Sequence, residues 1–277
     1  MPEIHLYQWP GSVALQDVKF IHFTDPHLDV GSSRLYGLEP AARLQACVAH
    51  MAAHHGDAAF AVLTGDLTHD GSVASYQQVR TLLAPLALPV HPLIGNHDDR
   101  ASFQQAFPEV AADQAGFVQY VVRYGGRRFI VLDTVQAGSH EGVLDAARLA
   151  WLRQVLAEDP TDPCYLFLHH PPMAVGMPRS DTMAINDPGF EAILAEASNV
   201  RHIFFGHLHR AVSGIWRGIP FSGIPGLSHQ VALDLVENDG RIRGSHEPPS
   251  YSVVLLRQDD VIIHQCHFLD DSGTFYL

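Results

Sequence analysis

Apolar and polar positions follow two alternating periods along this chain. Short β-type runs at 18–24, 58–64 and 90–94 read as buried strands. The stretches between them, 39–54 and 72–83, repeat their apolar residues at helical spacing. A βαβαβ order of this kind implies a parallel sheet with crossover helices. Runs at 116–123 and 128–132 flank Gly125-Gly126 and read as a hairpin. A helix is expected over 145–157 with Asp145 as its N-cap, then strands at 164–168 and 200–205. A Pro/Gly/Met-rich loop and a helix beginning near Asp187-Pro188 separate those two strands. Beyond them the pattern is mostly β, at 212–216, 219–222, 231–236, 251–256 and 261–268. No repeat, low-complexity segment or clear linker interrupts it. The expectation is one α/β domain over 1–277, β-rich from about 211 to 277, where a cap or assembly element would lie.

Composition narrows the class. Of the 277 residues 47% are hydrophobic and 17% charged, which excludes a disordered chain. Acidic residues outnumber basic ones by 30 to 17, and Lys19 is the only lysine. A net charge of −13 argues against tracking a long nucleic acid, which takes many Lys and Arg contacts. Cys47, Cys164 and Cys266 are widely spaced and form no C-x-x-C pair, so neither a disulfide framework nor a zinc ribbon is expected. With no basic, apolar leader over 1–11 and no run of membrane-span length, the expectation is a soluble cytoplasmic protein. Histidine stands out: 19 residues, more than Lys and Arg together.

Those histidines are not scattered. Successive strands end in Thr24-Asp25-Pro26-His27, Thr64-Gly65-Asp66, Gly95-Asn96-His97-Asp98-Asp99, His169-His170-Pro171-Pro172 and Gly206-His207-Leu208-His209. The carboxyl edge of a parallel sheet is where ligands bind. Residues i and i+2 of an extended segment point the same way, so Asp25 with His27, and His207 with His209, are expected to face one cavity. Oxygen and imidazole donors without thiolate suit first-row divalent metals. The candidates are too many for one open four-coordinate ion. They suffice for two ions sharing a carboxylate, a centre that can clamp both oxygens of a displacement at phosphorus.

The ordered series Asp25-x-His27, Gly65-Asp66, Gly95-Asn96-His97-Asp98, His169 and Gly206-His207-x-His209 resembles the calcineurin-like metallophosphoesterase superfamily. Leu35-Tyr36-Gly37, His169 to Pro172, and Ile224-Pro225-Gly226 followed by His229-Gln230 resemble its class III cyclic-nucleotide phosphodiesterase and glycerophosphodiesterase branch. The resemblance implies a four-layer sandwich of two mixed β-sheets flanked by helices. It places Asp25, His27, Asp66 and His209 on one metal, and Asp66, Asn96, His169 and His207 on the other. It makes His97 the catalytic histidine that meets the phosphate and protonates the departing alkoxide, with Asp98 orienting it. Asn96, His97 and His229 would contact substrate. The cofactors implied are two divalent ions, Fe, Mn, Zn or Co, and the reaction is attack of metal-bound hydroxide on a small phosphodiester. A monoesterase or nuclease of the same superfamily is the alternative, and a non-catalytic metal-binding scaffold the reading from another class. Partners would be a small diester, neither extended nucleic acid nor membrane, with self-association open.

Elsewhere histidine reads as packing: His22, His91 and His202 on strands, and His140 in a loop. Cys47 falls with Leu44 and Met51 on an apolar helix face. The loop 173–186 either lines the substrate pocket or covers the sheet end.

Overall fold

The computed structural model describes residues 16–236 and 240–269. Strand β1 (Val18–Phe23) leads into α1 (Pro40–His54), β2 (Phe60–Thr64), α2 (Val73–Leu83) and β3 (Val90–Leu93), and β1, β2 and β3 pair in parallel. Ser72 caps α2 by accepting the Ser75 N–H. After α3 (Arg100–Ala106), the hairpin β4 (Tyr120–Tyr124) and β5 (Arg127–Val131) opens a second sheet. It continues through α4 (Ala146–Glu158), β6 (Cys164–Leu168), the short α5 (Pro178–Asp181), α6 (Pro188–Glu196) and β7 (Val200–Phe205), then β8 (Val212–Trp216) and β9 (Ile219–Gly223). Its strand order is β4-β5-β6-β7-β9-β8. Asp145 and Asp187 cap α4 and α6 through the expected side-chain bonds.

The chain then forms a two-stranded arm, β10 (Gln230–Val231) with β11 (Gly244–Ser245). It returns as β12 (Ser250–Arg257) and β13 (Asp260–His267) to complete the first sheet, in the order β13-β12-β1-β2-β3. The C-terminal strands are thus built into the sheet beside β1. Two readings from periodicity need correction. Residues 231–236 do not form a strand: only Val231 of them pairs in a ladder, opposite Gly244, Ala232 adds one backbone bond to Arg243, and the run beyond has no sheet to enter. Residues 116–119 form a turn instead, with the Asp113 carboxylate accepting the Ala115 and Phe117 N–H groups.

Three apolar layers hold this α/β/β/α sandwich together. Helices α1 and α2 cover one outer face through Leu44, Cys47, Met51, Tyr76 and Val79; α4 and α6 cover the other through Leu152, Val155, Phe190 and Ile193. Between the sheets, Phe20 stacks on Phe60 at 5.3 Å and meets Phe129, Phe167 and Phe204 edge-on at 5.6–5.8 Å. Offset and T-shaped contacts of this kind add specificity to the burial of the rings. His22 and His202 are packing residues as expected, sharing hydrogen bonds with Thr64 Oγ1 (2.8 Å) and Ser222 Oγ (2.9 Å). Burial holds His22 down at about 3, so it sits neutral in the core.

Candidate metal centre

The parallel strands β1, β2, β6 and β7 all deliver their carboxyl ends to one edge, and the polar residues there converge. Asp25 and His27 follow β1, Asp66 follows β2, Asn96 follows β3, His169 follows β6, and His207 and His209 follow β7. The pairs Asp25/His27 and His207/His209 do face the same cavity, though not by extended alternation. All four have left-handed backbone, with φ of 56°, 49°, 66° and 47°, and Asp66 joins them at 48°. Outside glycine this region is sparsely used, and its occurrence at five residues of one cluster marks a functional site. Gly95 serves the close approach: a Cβ there would collide with the Asp66 carboxylate and come within 2.7 Å of the His169 ring.

Two donor groups emerge. In the first, Asp25 Oδ1 lies 3.3 Å from His209 Nε2, and that nitrogen is 3.0 Å from His27 Nε2. In the second, Asn96 Oδ1 stands 3.1 Å from His169 Nε2 and 2.9 Å from His207 Nδ1. Asp66 Oδ2 touches both, at 3.4 Å from His27 Nε2 and 3.4 Å from His169 Nε2.

The orientation of the rings tests whether these residues suit metal ions. His169 Nδ1 donates to the Thr64 carbonyl (2.9 Å) and His209 Nδ1 to the His229 carbonyl (2.7 Å). A proton fixed on Nδ1 leaves each Nε2 lone pair aimed inward. Asp25 Oδ1 is buried without a hydrogen-bond partner and lies 3.3 Å from the inward lone pair of His209 Nε2. Two buried acceptors so placed are costly unless a cation lies between them, so the set fits divalent ions. The electrostatics agree. Burial opposes charge on Asp25 and Asp66, yet His209 beside the first, and His169 and His27 beside the second, hold both below the usual carboxylate range. His169 shows the converse: against burial, Asp66 pushes it up to about 9, so this spot attracts positive charge. His207, where burial dominates, is held down at about 3.

Residues 18–211 match the calcineurin-like phosphoesterase family. The chain is 45% identical to a probable cyclic nucleotide phosphodiesterase of Rhodopseudomonas palustris, covering 94% of this chain and 96% of that one. The chain belongs to the calcineurin-like phosphoesterase family. A probable glycerophosphodiester phosphodiesterase of Arcobacter nitrofigilis is 30% identical over 68% of this chain and 70% of its own. A dimetal phosphatase from Danio rerio shares the fold, with a TM-score of 0.69 at 16% identity over 93% of this chain and 98% of that chain. Members of this family are hydrolases of phosphoric esters, and both relatives named above are described as probable phosphodiesterases.

The remaining residues of this phosphoesterase site fall into place around the donors. The His97 N–H donates to Asp66 Oδ1 (2.8 Å), and its ring lies 4.9 Å from His27, with Nδ1 3.3 Å from the His69 carbonyl. Asp98 does not orient that ring. Its oxygens accept from the Leu67, Thr68 and Gly95 N–H groups and the Tyr76 hydroxyl, so it ties the β2 and β3 loops together. The His229 ring sits 4.2 Å from His209 and 5.2 Å from His27, at the cavity wall. His170, the neighbour of His169, shares a hydrogen bond with Thr134 Oγ1 through Nδ1, and its ring packs 4.8 Å from His169 and 4.7 Å from His207.

Sequence reasoning missed four cavity residues. His140, read as packing, accepts from Asn96 Nδ2 at 2.8 Å, leaving the amide oxygen turned toward His169 and His207. His69 stacks on His97 at 4.7 Å, and Tyr36 and His246 line the mouth. His69 lies three positions beyond Asp66 in one loop, which was the available signal; the others come from distant loops with no shared spacing. From the loop 173–186, Arg179 and Met183 line a cavity of about 470 Å³ while Met173 and Met177 are buried. Among the described residues, no helix is long and apolar enough to cross a membrane.

Proposed function

We propose that this chain is a two-metal hydrolase of small phosphodiesters, with 3′,5′-cyclic nucleotides as the leading substrate class and glycerophosphodiesters as the alternative. The observation that carries the reading is Asp66, one carboxylate oxygen placed equally, at 3.4 Å, from a ring of each donor group. In this reading Asp25, His27, Asp66 and His209 hold one ion, and Asp66, Asn96, His169 and His207 hold the other. Oxygen and imidazole donors accept Fe, Mn, Zn or Co, and elemental analysis of the purified protein assigns which. Bound there, the ions supply Lewis-acid charge for the phosphoryl oxygens and acidify water toward neutrality.

The chain's own groups do the rest. His97 Nδ1 is engaged by the His69 carbonyl, which leaves Nε2 to meet the diester and pass a proton to the departing oxygen. His229 stands at the wall where a phosphate oxygen would lie, and Asn96 serves both the second ion and the substrate. Arg179 is the one guanidinium lining the cavity, so a long polyanion finds no row of cations there. The same proposal takes 1–277 as one domain, because β12 and β13 complete the first sheet. It also places the protein in the cytoplasm, consistent with three unpaired cysteines.

The test is a panel of 3′,5′-cAMP, a glycerophosphodiester and a phosphomonoester, assayed with Mn²⁺ before and after chelation. Diester turnover that vanishes on chelation and returns with metal is expected. Turnover indifferent to chelation, or a preference for the monoester, refutes the reading.

A further inference from the structure

The cavity extends past the donor groups to a mouth whose construction bears on the substrate. On one side stands Tyr36; across from the histidines are Val231 and Ile242 of the β10–β11 arm, with Met183 nearby. Leu35 and Leu38 exchange both backbone hydrogen bonds at 2.9 Å, so Tyr36 and Gly37 form the tip of a two-residue hairpin. Both tip residues have positive φ, 51° and 80°, the signature of a type I′ turn. Asn or Gly fits the first position of such a turn without strain, whereas a tyrosine there is unfavourable. The turn gains nothing from the ring, and the core gains nothing either, because Tyr36 is 63% exposed.

The ring is nevertheless held in place. The Tyr36 carbonyl accepts from His246 Nε2 at 3.1 Å, and the ring meets His229 edge-on at 4.7 Å. His229 in turn lies against His209 and His27. An aromatic face is therefore fixed one ring beyond the phosphate-binding wall, with apolar side chains of the arm lining the same mouth. A neutral glycerol substituent has no use for such a platform. A nucleobase does, since base–aromatic stacking is strong and indifferent to which base is present.

We propose that Tyr36 is a specificity-determining residue, the platform on which the base of a cyclic nucleotide stacks while its phosphate lies at the centre. The inference rests on the diesterase reading above and selects the nucleotide arm of it. The experiment uses the full chain loaded with Mn²⁺ and the variants Tyr36→Asn, which preserves a residue suited to the turn, and Tyr36→Phe, which preserves the ring. Substrates are 3′,5′-cAMP, the base-free ribose 3′,5′-cyclic phosphate and glycerophosphoglycerol, whose substituent carries neither a base nor a cation. Tyr36→Asn should raise KM for cAMP about 10-fold or more with kcat held, the pattern of lost uniform binding. It should leave the two base-free substrates within about twofold, and Tyr36→Phe should behave as wild type. Equal losses on all three substrates would make Tyr36 a structural element of the loop and overturn the proposal. So would an unchanged KM for cAMP. A wild type that cleaves glycerophosphoglycerol but not cAMP overturns it while leaving the diesterase reading intact; a wild type that cleaves none of the three removes that reading as well.

Discussion

Replacing Asp66 by Asn keeps the shape of the side chain and removes the charge that both donor groups share. Its size can be judged from His169, a ring with no exposure, which Asp66 pushes up to about 9 from an ordinary 6.5 against the burial penalty. That displacement corresponds to roughly 3 kcal/mol of net attraction for a single positive charge. A dication feels the carboxylate at least as strongly, and two ions feel it together. Each should therefore lose at least about 100-fold in affinity, since about 1.4 kcal/mol is a factor of ten. The amide also presents an N–H₂ group to the His27 and His169 nitrogens, which would compete with the ions for their lone pairs. The expected result is loss of both ions on dialysis and of nearly all turnover, with circular dichroism unchanged. Metal content per chain and kcat/KM for bis(p-nitrophenyl) phosphate measure it. A variant retaining two ions through dialysis, or losing only one, would show that Asp66 is not shared.

Asn96→Ala should weaken only the second ion, because a neutral amide is the weaker donor; excess Mn²⁺ should restore part of the turnover, and an unrescuable loss of both ions would contradict this. His97→Ala should slow alkyl diesters at least about tenfold more than nitrophenyl diesters, since only the alkoxide needs a proton as it departs. Equal loss on both substrates would assign His97 to phosphate binding instead. Asp98→Ala removes the buried acceptor of three backbone N–H groups and of the Thr68 and Tyr76 hydroxyls. It should lower unfolding stability by about 3 kcal/mol or more in the presence of chelator, where any effect of bound metal is absent. An unchanged urea midpoint would mean that the loops do not depend on it.

The parts of this protein that could be read from the sequence are those in which one strand determines its own environment. Residues 164–168 are an unbroken apolar run because β6 is covered on both faces, and its bounds, like those of β7 at 200–205, come out as read. Residues 231–236 have the same local character but only Val231 of them enters a strand, a tertiary fact invisible in the run itself. The site divides similarly. Asp25 to His209 are legible because each sits at a fixed offset from a strand end. His140 and Tyr36 are brought in by loops whose paths no periodicity encodes. Asp98 is the instructive miss: adjacency to His97 suggested that it holds that ring, yet the turn sends its side chain back under Leu67 and Thr68.

The left-handed residues explain why such a site needs so large a core directly behind it. Five non-glycine residues at φ between 47° and 66° each carry about 1–3 kcal/mol of backbone strain, less for Asp than for the histidines. Strain of that order persists only where the surroundings over-determine it. Here the chain of restraint can be followed from core to donor. Phe20 and Phe23 are fully buried on either face of β1, and His22 between them bonds Thr64 at the end of β2. The Thr64 carbonyl accepts from His169 Nδ1, and Thr24 Oγ1 donates to Asp25 Oδ2 at 2.7 Å. Asp25 Oδ2 also accepts the His207 N–H at 3.1 Å, which locks the β1 end to the β7 end. Each donor is thus aimed by a strand end, and the strand ends are set by aromatic packing between the sheets. Precision at the metal centre is in this sense a property of the sandwich, and substitutions among Phe20, Phe60, Phe167 and Phe204 should disturb metal affinity before they unfold the protein.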